Sequence, residues 1–185
     1  MEYENTGNID KNHDGDAACA VCEIPNEGHT YTEWGRYGSC STAGHTQLYT
    51  GVVMSNYYNQ QRGESVCVDW EREGHEGSST SSNNGGMLYT SEVESGSAHE
   101  TWYPSNVEAG CTVCLAPKPV YTRWGSRKCP SGSKTMYEGF MASGSYTDRG
   151  SGANSLCLTQ YSFLPPGATN SDNNGNRLFG MEYEN

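Results

Sequence analysis

The sequence predicts an all-β protein made of two similar halves, and three observations carry that prediction. Its features recur about ninety residues apart. Its apolar residues fall in short alternating runs separated by Gly, Pro, Asn and Ser, and no window sustains a 3.6-residue period. Its core-building residues are few, 34% of the chain, while its cysteines number eight.

The repeat is the strongest of the three. Cys19-Ala-Val-Cys22, Tyr31-Thr-Glu-Trp34-Gly35, Cys40 and Cys67 are answered by Cys111-Thr-Val-Cys114, Tyr121-Thr-Arg-Trp124-Gly125, Cys129 and Cys157. Every cysteine therefore has a counterpart. Leu48-Tyr-Thr-Gly51 matches Met136-Tyr-Glu-Gly139, and Ser65-Val-Cys67-Val matches Ser155-Leu-Cys157-Leu. Met1, Glu2, Tyr3, Glu4 and Asn5 recur unchanged as Met181, Glu182, Tyr183, Glu184 and Asn185, a displacement of twice the unit, with Glu92-Val-Glu94 midway. These two segments read as repeat junctions and as candidate assembly strands, because alternating Glu and Tyr suit the edge of a sheet.

A mean hydropathy of -0.78 leaves little apolar material for a core, so something must supplement it. Eight cysteines with plentiful Gly, Ser and Asn point to disulfides in an oxidising, extracellular setting. A four-thiolate zinc site from the two Cys-x-x-Cys pairs is the competing reading. The pairs lie 92 residues apart, and such a site would leave four cysteines unexplained. No apolar run is long enough to cross a membrane as a helix. No secretory signal precedes the first cysteines, so the N-terminus is expected to be that of a processed precursor, of one repeat from a longer chain, or of a circular permutant. Net charge is -11, divided unevenly: residues 1–116 carry -13, residues 117–180 carry +4 and the last five carry -2. That asymmetry favours association between copies and makes nucleic acid an unsuitable partner.

In chain order, Cys19–Cys22 is expected as a short strand ended by Pro25, followed by strands near Thr30–Trp34, Val52–Met54 and Ser65–Trp70. Residues 71–86 form an acidic loop, Met87–Val93 a strand, and Ala98–Gly110 leads to the second Cys-x-x-Cys. Cys129-Pro-Ser-Gly is a turn. Thr135–Met141 and Ser155–Thr159 are strands, and residues 143–154 and 165–176 are loops.

Cys19-Ala-Val-Cys22-Glu-x-Pro, Tyr121-Thr-Arg-Trp124-Gly125, Cys129-Pro-Ser-Gly-Ser-Lys134 and Gly152-Ala-Asn-Ser-Leu-Cys157-Leu together resemble the non-collagenous C-terminal domain of short-chain, spongin-type collagens. More distantly they resemble the tandem non-collagenous domain of basement-membrane collagen. The resemblance implies two disulfide-stapled β subdomains in pseudo-twofold relation, 24–116 and 117–180 plus 6–23, with 1–5 and 181–185 as junction segments. It further implies a secreted structural protein that assembles. It pairs Cys40 with Cys114 and Cys67 with Cys111 in one subdomain, and Cys129 with Cys22 and Cys157 with Cys19 in the other. The second set departs from the family, whose Cys-x-x-Cys follows the later lone cysteine, so the order here is circularly permuted. The chain also lacks a Gly-x-y tract.

The expected function is thus that of a non-enzymatic building block of extracellular matrix or a fibre, with copies of itself, other matrix proteins or glycans as partners. The hydroxyl-rich stretches Ser78–Ser82 and Ser143–Ser151 would suit mineral deposition. No catalytic motif is visible, and His13, His29, His45, His75 and His99 lack metalloenzyme spacing. The run Asp10, Asn12, Asp14, Asp16 has the alternating oxygens of a calcium loop but has Val21 where the bidentate Glu belongs, so an acidic turn competes with a weak calcium site. The alternative function is a lectin that stacks sugars on Tyr57, Tyr58, Trp70, Trp102 and Tyr103. Trp34 and Trp124, at equivalent places in the repeat, are expected in the core.

Overall fold

The computed structural model describes residues 2–3, 16–25, 27–76, 86–94, 102–173 and 175–184, and these hold ten strands and no helix. They are β1 (Glu2–Tyr3), β2 (His29–Arg36), β3 (Thr46–Ser55), β4 (Val66–Asp69), β5 (Met87–Val93), β6 (Val107–Glu108), β7 (Gly110–Ala116), β8 (Gly139–Ser143), β9 (Leu156–Phe163) and β10 (Asn176–Gly180).

Seven of the strands close a barrel in the order β5-β10-β8-β9-β2-β7-β3, and β3 returns to β5. Closure removes most of the edges that a polar, disulfide-rich sheet would otherwise expose. Within the first half, β2, β7, β3 and β5 are antiparallel neighbours, as are β9, β8 and β10 within the second. The halves join through two parallel seams, β5 with β10 and β2 with β9. The two expected units therefore contribute strands to one barrel and do not form two separate sheets.

The strands form where period-two alternation supplies an inward face. On β3, Val53 points into the main core with Val93, Val107, Ala142, Leu156, Leu158 and Leu178, while Val52 and Met54 point the other way and pack with Leu88 under Trp70. Each fully buried aliphatic side chain contributes roughly 1.5–3 kcal/mol. Cys111 belongs to the same core and Cys67 packs against it, so one disulfide sits against the apolar interior.

The two hairpins β3–β4 and β8–β9 pair their repeat counterparts in the same register. Gly51 faces Asp69 and Val53 faces Cys67; Gly139 faces Thr159 and Met141 faces Cys157. Each glycine is required, because a Cβ there would overlap the carbonyl oxygen of Val68 at Gly51 and of Leu158 at Gly139.

Candidate assembly site

The second Cys-x-x-Cys is a completed strand. In β7, Cys114 lies opposite Tyr31 and Gln47, and Cys111 lies opposite Trp34 and Gly51, so neighbours β2 and β3 satisfy both of its edges. Disulfides Cys40–Cys114 and Cys67–Cys111 fix its two ends. Glu33 anchors the loop that carries Cys40. Its carboxylate, 1% exposed, accepts the Ser41 N–H at 3.0 Å, the Ser41 hydroxyl at 2.8 Å and the Tyr31 hydroxyl at 2.9 Å. Burial and that neighbouring carboxylate hold the Tyr31 phenol well above its ordinary pKa.

The second half reproduces the frame around that strand. The Tyr49 hydroxyl donates to the Cys67 carbonyl at 3.1 Å, and its counterpart Tyr137 donates to the Cys157 carbonyl at 3.1 Å. The Ser55 hydroxyl donates to the carbonyls of Gly63 and Glu64, and that of Ser143 to those of Gly152 and Asn154. Gly35 and Gly125 both take positive φ, 83° and 73°.

The strand itself is absent from the second half. Residues 121–125, the counterpart of β2, form no strand, and neither do residues 135–138, which correspond to the part of β3 that holds β7. The expected strand at Thr135–Met141 begins only at Gly139. Between these two segments opens a cleft of about 1070 Å³, lined among others by Tyr121, Trp124, Thr135, Tyr137, Cys129 and Cys157. Trp34 packs half-buried against the core, but Trp124 is 47% exposed, contrary to its expected core role. The physical reason is that Trp124 has no strand beside it to pack against.

The expected bonds Cys129–Cys22 and Cys157–Cys19 are not formed: all four are free thiols. Cys19 and Cys22 are exposed on an irregular segment, which corrects the expected short strand there. Cys129 and Cys157 are half-buried in the cleft. Burial raises the pKa of the Cys157 thiol, partly opposed by a hydrogen bond with Tyr137, so at neutral pH it is a thiol awaiting deprotonation. Residues 16–18 lie against residues 73–75, where the His75 N–H reaches the Asp16 carbonyl at 2.7 Å and the Ala18 N–H reaches the Glu73 carbonyl at 3.2 Å.

The cleft is cationic on an acidic protein. Lys118, Arg123, Arg127, Lys128 and Lys134 line it against Glu138 and Glu182, and Arg127 pairs with Glu138 at 3.2 Å. Arg123 stands where the first half has the buried Glu33, and it donates to the Lys128 carbonyl at 2.9 Å. The repeated pentapeptide reaches this place as well. Met181, Glu182 and Tyr183 border the cleft, and the Met181 N–H donates to the Met141 carbonyl at 2.8 Å. Glu184 is exposed beside them. At the other end of the chain, Glu2 and Tyr3 pair in parallel with Met87 and Leu88; Met1, Glu4, Asn5 and Asn185 lie outside the described residues.

The remaining expectations fare differently. Asp10, Asn12 and Asp14 of the calcium reading lie outside the described residues, and among those described no group of three or more His, Cys, Asp or Glu is arranged to hold a metal. The zinc alternative is excluded for this state, since Cys111 and Cys114 are spent in disulfides. The aromatic residues named for sugar stacking are engaged within the molecule. Tyr57 packs on Tyr58 and Tyr89, Trp70 meets the edge of Tyr37, and Trp102 and Tyr103 both pack on Phe140. Of the hydroxyl-rich stretches, Ser78–Ser82 lies outside the described residues, and Ser143 and Ser151 are buried.

Sequence reasoning missed three fully buried carboxylates. Glu92 and Glu108 face each other across β5 and β6, fully buried under residues 169–173: the Asn173 N–H reaches Glu92 at 3.2 Å and the Thr169 N–H reaches Glu108 at 2.8 Å. Glu33 was the third, and the change from Glu33 to Arg123 within an otherwise preserved motif was its available signal. Comparison of the chain with family models, with curated proteins and with solved structures finds no match in any of the three.

Proposed function

We propose that this chain is a secreted, non-enzymatic structural protein that assembles with copies of itself into extracellular matrix or a fibre, and that its second half is the joint. One observation carries the reading: the second half keeps the frame of a stapled strand but lacks the strand. Transposing the first half's register puts Cys22 beside Tyr121 and Thr135, and Cys19 beside Trp124 and Gly139. The disulfides then become Cys22–Cys129 and Cys19–Cys157, the pairing that the collagen-domain resemblance also implies. Strand addition of this kind satisfies backbone groups on both edges and excludes water from the aromatic walls. A strand supplied by a neighbour makes a head-to-tail contact that propagates. Two disulfides within the structure fit the oxidising compartment this requires, and no described helix is long and apolar enough to cross a membrane. The lectin reading has no comparable support, because its five aromatic residues are already packed.

Light scattering on oxidised protein tests the proposal. The expected result is mass growing with concentration beyond the 20.2 kDa chain, and growth abolished in a Cys129→Ser, Cys157→Ser variant. A wild-type chain that stays at one chain's mass at every concentration contradicts it.

A further inference from the structure

Resting on the reading that the cleft takes a Cys-x-x-Cys strand, we infer that residues 1–22 of a second copy dock as one unit. Their Met1–Asn5 takes the place that Met181–Tyr183 hold beside the cleft, and their Cys19–Cys22 enters it.

The first ground is position. Met181 to Tyr183 continue directly from β10, tied to β8 through the Met181–Met141 hydrogen bond and to Ser155, whose hydroxyl contacts the Met181 sulfur at 3.4 Å. In the repeat this place corresponds to Ser91–Val93, the end of β5. In the first half, that end pairs antiparallel with β6, Glu92 opposite Glu108 and Val93 opposite Val107, and the chain then runs straight into β7. A pentapeptide in this phase is therefore the landing edge for the stretch leading into the Cys-x-x-Cys strand. Glu92 precedes Cys111 by 19 residues and Glu2 precedes Cys19 by 17, so Met1–Asn5 carries its own Cys-x-x-Cys at a spacing two residues shorter than that of the first half. Being identical in sequence, the two pentapeptides present the same side chains to that place.

The second ground is charge. Residues 1–22 hold five carboxylates and one lysine, and the cleft holds five cationic side chains against two carboxylates. Opposite potentials steer the encounter and weaken as salt screens them. The third ground is release. Among the described residues, the segment's backbone is held by the two-residue pairing of Glu2 and Tyr3 with β5 and by the short contact of residues 16–18 with residues 73–75. These described contacts are ones that must open before it crosses to a neighbour.

The test compares three chains for the rate of interchain Cys22–Cys129 and Cys19–Cys157 formation under one oxidant: the full chain, a chain lacking residues 181–185, and a chain lacking residues 1–5. Removing 181–185 leaves β10 intact and vacates the place, so the rate rises several-fold. Removing 1–5 lowers it by about tenfold, and Tyr3→Pro, which shortens nothing, reproduces the loss. Added salt slows the full chain. Interchain bonds that form at the same rate in all three chains overturn this inference and leave the assembly reading standing. An absence of interchain bonds in every chain removes both.

Discussion

The two halves of this barrel share a repeat of about ninety residues and differ in completeness. In the first, Cys111–Cys114 lies between β2 and β3, bonded at both edges and stapled at both ends. In the second, the same tyrosine, serine and glycine devices surround an open cleft with two free thiols. A frame can therefore be built without its central strand. The two halves serve as each other's control, since any change at a shared device should act equally in both and any change at the strand should not.

The largest expected difference comes from the staples. Replacing Cys67 and Cys111 by Ala opens a bridge spanning 44 residues and lowers the free energy of unfolding by about 4 kcal/mol. The matching Cys129→Ala, Cys157→Ala change costs the isolated chain within about 1 kcal/mol, as urea unfolding would read. Next come the tryptophans. Trp34→Ala removes packing against the core, about 2 kcal/mol, whereas Trp124→Ala leaves thermal stability within about 0.5 kcal/mol until an assembly partner covers the cleft.

Glu108 sharpens the contrast from within the first half. Burial raises its folded-state pKa above the unfolded value, despite the N–H bond from Thr169. Its contribution is therefore fully present below the unfolded carboxyl pKa of about 4.3 and is lost as pH rises through the higher folded value. The Glu108 contribution should fall from acid toward neutral pH, and Glu108→Gln should remove that component of the slope and add about 1 kcal/mol near neutrality. A variant as pH-sensitive as the parent would show that Glu108 is not the group responsible. The smallest effect is the strictest test of equivalence: Tyr49→Phe and Tyr137→Phe should each cost about 1 kcal/mol, and costs that differ by more than that would mean the hairpins are not equivalent.

Much of this was legible in the sequence. The repeat and the period-two runs mark where β2, β3, β4, β5 and β9 lie, and they flag Gly51 and Gly139 as counterparts. The fate of Cys19–Cys22 was not legible, because Cys-Ala-Val-Cys is as good a strand as Cys-Thr-Val-Cys. What separates them is whether two neighbouring strands are present, and that is a tertiary fact. Trp124 misled for the same reason. Glu92 and Glu108 alternate with Val93 and Val107, which reads as an outward face. A loop more than sixty residues beyond Glu108 covers that face, and local pattern carries no trace of so distant a cover.

In the proposed assembly, a neighbour's Cys-x-x-Cys completes the second half. Disulfide mapping of the oxidised assembly, grown from an equal mixture of ordinary and nitrogen-15-labelled chains, tests it most directly. The expected map has Cys40–Cys114 and Cys67–Cys111 always within one label, and Cys22–Cys129 and Cys19–Cys157 joining labelled to unlabelled peptides. An assembly in which Cys19 and Cys22 are free, bonded to each other, or bonded to Cys157 and Cys129 of the same label alone would contradict it.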